Sequence, residues 1–138
     1  MPLGTRTKAR ARALQILYAW EMRGSPRVVD VASGLTRITG RVPEALEDAE
    51  RLAEGVIGAV PTLDGHASAA ADNWRIERLG AIDRNILRIG VYELTAETAP
   101  PKVVINEAVQ LAHWFGGLKS PAFVNGVLDR VARSLGRL

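Results

Sequence analysis

Cysteine is absent from this 138-residue chain. That excludes disulfides, thiolate metal sites and cysteine nucleophiles, and it fits a reducing compartment, so a cytoplasmic location is expected. Aromatics make up only 5% of the residues, and Ala, Leu and Val dominate. A helical core is therefore expected rather than a β-sandwich. Histidine occurs twice, as His66 and His113, and neither stands in a metal-ligand spacing. No apolar run approaches the roughly 20 residues that span a membrane. The basic start is not followed by an uninterrupted apolar core and a small-residue cleavage site, so no secretory leader is expected. The first twenty residues also contain no acid.

What stands there instead is T-R-T-K-A-R-A-R-A-L-Q-I-L-Y, from Thr5 to Tyr18, with four bases: Arg6, Lys8, Arg10 and Arg12. At 100° per residue, Ala9, Ala13, Ile16, Leu17 and Trp20 share one helix face. Arg6 and Arg10 border it on one side, Lys8 and Arg12 on the other. The later turns can pack while the first turns hold a cation cluster. Cations at a helix N-terminus oppose the macrodipole, and a local rule broken without structural gain points to function. Residues 1–27 hold six bases and one acid, which leaves twelve bases and fourteen acids for the rest. A basic arm on a mildly acidic body implies a local polyanion contact, with nucleic acid the first partner and an anionic membrane surface the rival.

The length suits one domain, residues 1–138, able to bury roughly 70% of its unfolded surface. Hydrophobic periodicity predicts an all-α fold of about seven helices and no strand. The first runs from about Thr5 to Met22 and stops at Gly24-Ser25-Pro26. A short second covers 27–39. A third opens at Pro43, with Leu46, Ala49, Leu52, Ala53, Val56, Ile57 and Val60 as its stripe. Pro61-Thr62 breaks the chain and marks a boundary between subdomains of about 1–60 and 61–138. A weak helix over 62–73 follows. The most apolar helix, about Gly80 to Glu97, is the expected buried centre of the second half. The next starts at Pro100-Pro101, turns Val104, Ala108, Leu111, Ala112 and Phe115 one way, and closes at Gly116-Gly117. Ser120-Pro121 reads as an N-cap and first-turn proline for a last helix over roughly 121–135. Asn125-Gly126 lies within its stripe and reads as helix, with Gly126 at a tight crossing.

No constellation supports catalysis. Glu93 and Glu107 are single carboxylates on different helices and make no acid–base couple. No cofactor and no metal site is expected. Arg6, Arg10, Leu14 and Tyr18 form one i, i+4 row, which joins phosphate-neutralising cations to a ring on which a base could stack. Tyr18 reads equally as a core tyrosine. Unpaired RNA suits this pattern better than duplex DNA, for which no helix-turn-helix signature exists. The loop and helix start around Leu118 to Asn125 form a second candidate, in which Lys119 and the turn beginning at Ser120 offer a cation and backbone N–H groups to a phosphate. Phe123 falls off the apolar stripe and reads either as a stacking ring or as packing.

Three segments together, K-A-R-A-R-A-L-Q-I-L-Y, I-D-R-N-I-L-R-I-G-V-Y-E-L, and K-V-V-I-N-E-A-V-Q-L-A with the following F-G and S-P-A-F-V-N-G-V-L-D, resemble the NusB family of bacterial transcription antitermination factors. The resemblance covers nearly the whole chain. It implies two small packed helical bundles and a role without catalysis. It further implies binding of boxA RNA from ribosomal RNA operons together with NusE, a small-subunit ribosomal protein, to promote processive transcription by RNA polymerase. By position it carries RNA contacts onto Arg6, Lys8, Arg10 and Tyr18, and a second RNA surface onto Glu77, Arg88, Lys119, Ser120 and Phe123. It carries the NusE-facing surface onto Asp83 and Arg84. Thr7 interrupts an arginine-rich run that is often denser in the family. Some members self-associate, so a homodimer is a further expectation.

Two other readings bear on the same residues. A similar module precedes the catalytic domain of some ribosomal RNA cytosine methyltransferases, but those need cysteines and a cofactor-binding α/β domain. A membrane-touching adaptor would leave apolar surface opposite the bases for lipid, and here that face reads as core.

Overall fold

A computed structural model describes residues 4–24, 45–71 and 75–138. Among them the chain is all-helical, with no strand. Helix α1 spans Thr5–Met22, α2 Leu46–Ile57, α3 Val60–Ala70, α4 Ala81–Ala96, α5 Pro101–Phe115 and α6 Ser120–Ser134, with a 3-10 turn at Ile76–Arg78. That is six α-helices in the described residues, where about seven were expected. The helix expected over 27–39 and the start at Pro43 lie outside the described residues. The chain divides into two compact units, Met1–Gly58 and Ala59–Leu138.

In the first unit α1 packs on α2. The buried residues of α1 are Ala9, Arg10, Ala13, Leu14, Ile16 and Leu17. At 100° per residue these span an arc of roughly 160°, wider than the face read from Ala9, Ala13, Ile16, Leu17 and Trp20. The widening runs through positions 10 and 14. Helix α2 offers Ala49, Ala53 and Val56 as its buried row, with Glu47 and Asp48 in the first turn, where the dipole favours acids.

In the second unit α4 is the centre, contacted by α3, α5 and α6. Residues 85–91, Glu93 and Leu94 are all buried. Each fully buried Leu or Ile here contributes about 1.5–3 kcal/mol. The close crossing is at Gly90: a β-carbon there would lie 2.6 Å from Leu128 Cδ1 on α6. A β-carbon at Gly126, the expected crossing, would meet nothing within 4 Å. Both glycines are helical, and only the one facing a buried leucine needs to be small.

Pro61 does not break the chain before a helix. It sits in the first turn of α3, where a proline sacrifices no intrahelical hydrogen bond. Two arginines satisfy carbonyls in the last turns of α3 and α4, where cations are favoured, and one of them also reaches the link after α4. Arg130 Nη1 donates to the Ala70 carbonyl at 3.0 Å. Arg137 Nη1 donates to Leu94 O at 2.8 Å and Nη2 to Ala99 O at 3.3 Å.

Candidate RNA-binding surface

At the start of α1 there is no acid and no side-chain cap. Arg6 is exposed and Lys8 half-buried. Arg12 is half-buried and donates from Nη1 to Gln15 Oε1 at 2.9 Å. Arg10 departs from the expected rim: it is 4% exposed. The row Arg6, Arg10, Leu14, Tyr18 therefore divides. Arg10 and Leu14 turn inward on the widened arc, while Arg6 and Tyr18 stay at the surface. Tyr18 is 42% exposed, which resolves the choice between core and surface ring.

In the second unit the expected positions separate more sharply. Glu77 lies exposed on the 3-10 turn. Arg88, expected on the second RNA surface, is buried. Its side chain is 8% exposed, and it grips Asp64 of α3 with two parallel bonds, Nε to Oδ1 and Nη2 to Oδ2, both 2.8 Å. Its Nη1 donates to Asn85 Oδ1 at 3.2 Å, and Asn85 Nδ2 donates to Ala81 O at 2.8 Å. A fork–fork pair of this kind directs a guanidinium completely. The cluster ties α4 to α3 and satisfies the polar groups it buries, as a dry interior requires.

Ser120 is also a correction. It is buried, and its Oγ accepts the Gly117 N–H at 2.9 Å while its own N–H donates to Gly117 O at 3.1 Å. Lys119, not Ser120, holds the N-cap position, and the expected cap is instead a clasp that closes the Gly116–Lys119 link. Lys119 is exposed and Phe123 half-buried. The Phe123 N–H donates to Lys119 O at 3.2 Å, so it is part of the helix ladder. Asp83 and Arg84 are half-buried in the first turns of α4. Arg84 Nη1 donates to the Leu79 carbonyl, which orients it along the 3-10 turn.

Among the described residues no group of three His, Asp or Glu could hold a metal ion, and no helix is long and apolar enough to cross a membrane.

The comparisons with known proteins agree with this all-helical design. The model of the NusB family matches residues 7–133. The chain belongs to the NusB family. A transcription antitermination protein NusB of Sorangium cellulosum is 42% identical over 99% of this chain and 97% of its own length. The NusB of T. maritima superposes with a TM-score of 0.80 at 32% identity, covering 96% of this chain and 93% of that one. A crystal structure of the antitermination factors NusB and NusE in complex with dsRNA superposes with a TM-score of 0.81 at 28% identity, covering 94% and 97%.

Sequence reasoning missed several residues in this family member. Asp64 showed no signal, since its partner Arg88 stands twenty-four residues away. Phe115 was read inward and is exposed. Trp114 was not singled out, although it is exposed. An indole off the Val104/Ala108/Leu111 stripe was the available signal.

Proposed function

We propose that the chain is an RNA-binding transcription antitermination factor, which binds boxA RNA of ribosomal RNA operons together with NusE and so promotes processive transcription by RNA polymerase. The observation that carries this reading is the near-full-length similarity to proteins named for transcription antitermination. The dsRNA complex of a NusB with NusE, which is 28% identical to this chain, supports RNA and NusE as partners. The reading requires no catalysis and no cofactor, and a cytoplasmic location suits it.

Arg6, Lys8 and Tyr18 of the first unit, and Glu77, Lys119 and Phe123 of the second, are the proposed RNA contacts. Cations there neutralise phosphates, and rings accept unpaired bases. Arg10, Arg88 and Ser120 support these residues from inside rather than by touching RNA. Asp83 and Arg84 are the proposed NusE contacts.

The test is a titration of labelled boxA RNA and of a scrambled RNA, each with and without NusE, with mass followed by light scattering. The expected result is weak binding of boxA RNA alone, tighter binding with NusE, and a preference over the scrambled strand. Equal affinity for both strands under both conditions overturns the reading. The scattering mass decides between monomer and homodimer.

A further inference from the structure

The corner between α5 and α6 carries an exposed apolar surface that the proposed RNA contacts do not use. Trp114 is 42% and Leu118 99% exposed, the latter a leucine wholly in water. Phe115 stands beside Trp114, ring centroids 6.4 Å apart and edge to face at 87°. Three of the chain's seven aromatic residues, Trp114, Phe115 and Phe123, fall within these ten positions.

The corner is rigid. Gly116 N–H continues the α5 ladder to Ala112 O at 2.9 Å, and Ser120 and Gly117 clasp each other across the link. A β-carbon at Gly116 would lie 2.6 Å from Ser120 Cβ, so the chain doubles back on itself here. That return sets Gly116 against Ser120, with the exposed Trp114 two residues before it and the exposed Lys119 just ahead of α6. The backbone on either side of the link is thus hydrogen-bonded, and the indole has Phe115 as its aromatic neighbour.

Charge identifies the occupant. From Ala108 to Leu128 the chain has no acid, while Lys119 and His113 are both exposed. An exposed indole five residues from an exposed lysine, on an acid-free stretch, is a combination that can take a nucleobase and its phosphate. An anionic lipid surface offers a lysine and a leucine partners too, but it gives the edge-to-face aromatic pair no base to stack on, and the single-strand preference tested below separates the two.

We propose that Trp114 is a stacking platform for one unpaired base of the bound RNA, with Leu118 as its apolar edge and Lys119 on the adjoining phosphate. This rests on the RNA-binding function proposed above. Stacking of this kind requires a free base face, so it acts on single strands and is silent on duplexes.

The experiment measures binding of a fluorescein-labelled boxA-type single strand, and of the same sequence annealed to its complement, by wild type, Trp114→Ala and Trp114→Phe. Melting temperatures serve as the folding control. The expected result is a loss of single-strand affinity of roughly 5- to 100-fold for Trp114→Ala, an unchanged duplex affinity, and near-complete retention for Trp114→Phe. Single-strand affinity unchanged in Trp114→Ala overturns the proposal, as does an equal loss on both RNAs. A wild-type dimer that Trp114→Ala converts to monomer would make the patch an interface between copies and also overturn it. Failure of the wild-type protein to bind any RNA is a separate outcome, which refutes the RNA-binding function itself.

Discussion

Arg6, Arg10 and Arg88 are chemically identical, and their surroundings assign them different work. Arg6 stands exposed at the head of α1. Arg10, four residues on, is buried. Arg88 is held in a buried fork with Asp64. Breaking a buried pair leaves a charge without a partner, which costs about 3–5 kcal/mol; Asp64 is one-fifth exposed, so the lower end applies. Arg88→Ala is therefore expected to destabilise the protein by about 3 kcal/mol in urea denaturation. Arg10→Ala, which removes a buried stem and its polar head, is expected to cost about 1–3 kcal/mol. Arg6→Ala should leave the midpoint unchanged and weaken RNA binding alone. A wild-type denaturation midpoint for Arg88→Ala would show that the Asp64 fork contributes nothing net.

At the scale of helices, two glycines separate packing from propensity. Gly90 and Gly126 both interrupt helical sequence, and each costs about 1 kcal/mol relative to alanine in intrinsic propensity. At Gly90 a methyl group would collide with the fully buried Leu128. Gly90→Ala is thus expected to destabilise by about 1–3 kcal/mol through overpacking. At Gly126 a methyl group meets open space. Gly126→Ala is expected to stabilise by about 0.5–1 kcal/mol. Thermal melts of the two variants, which should move in opposite directions, check both. Most helices were readable because their apolar spacing is regular and prolines mark their starts: Pro101 and Pro121 open α5 and α6. Which glycine faces a neighbouring helix depends on the rotation of two helices about each other, and no single-helix pattern carries that.

For the whole molecule, the uneven charge is the determining feature. The net charge of +3 is small, and the exposed or half-buried cations proposed to meet RNA are few: Arg6, Lys8 and Lys119. Three phosphate contacts on a single strand give a slope of about −2 in log affinity against log salt concentration. Measured binding of single-stranded RNA across a salt series should return that shallow slope. A slope of about −5 or steeper would require many more cations than these, and would reject the proposed contact set. A shallow slope also leaves room for stacking by Tyr18, Phe123 and Trp114, which salt screens little.

Sequence alone determined the all-helical class, the bounds of α1, α4, α5 and α6 to within a residue or two, and the family, because periodicity, proline placement and motif spacing are one-dimensional properties. It also marked the basic start of α1, since charge is countable along a chain. Only the tertiary structure decided which cations face water. Arg10 turned inward because the buried arc of α1 is wider than its most regular apolar stripe. Arg88 turned inward because Asp64, twenty-four residues earlier, lies across from it. Ser120 became a clasp because Gly116 and Gly117 fold the link back onto it. Each of these outcomes is set by a partner distant in sequence or by the path of a turn, so it exists only once the chain has folded.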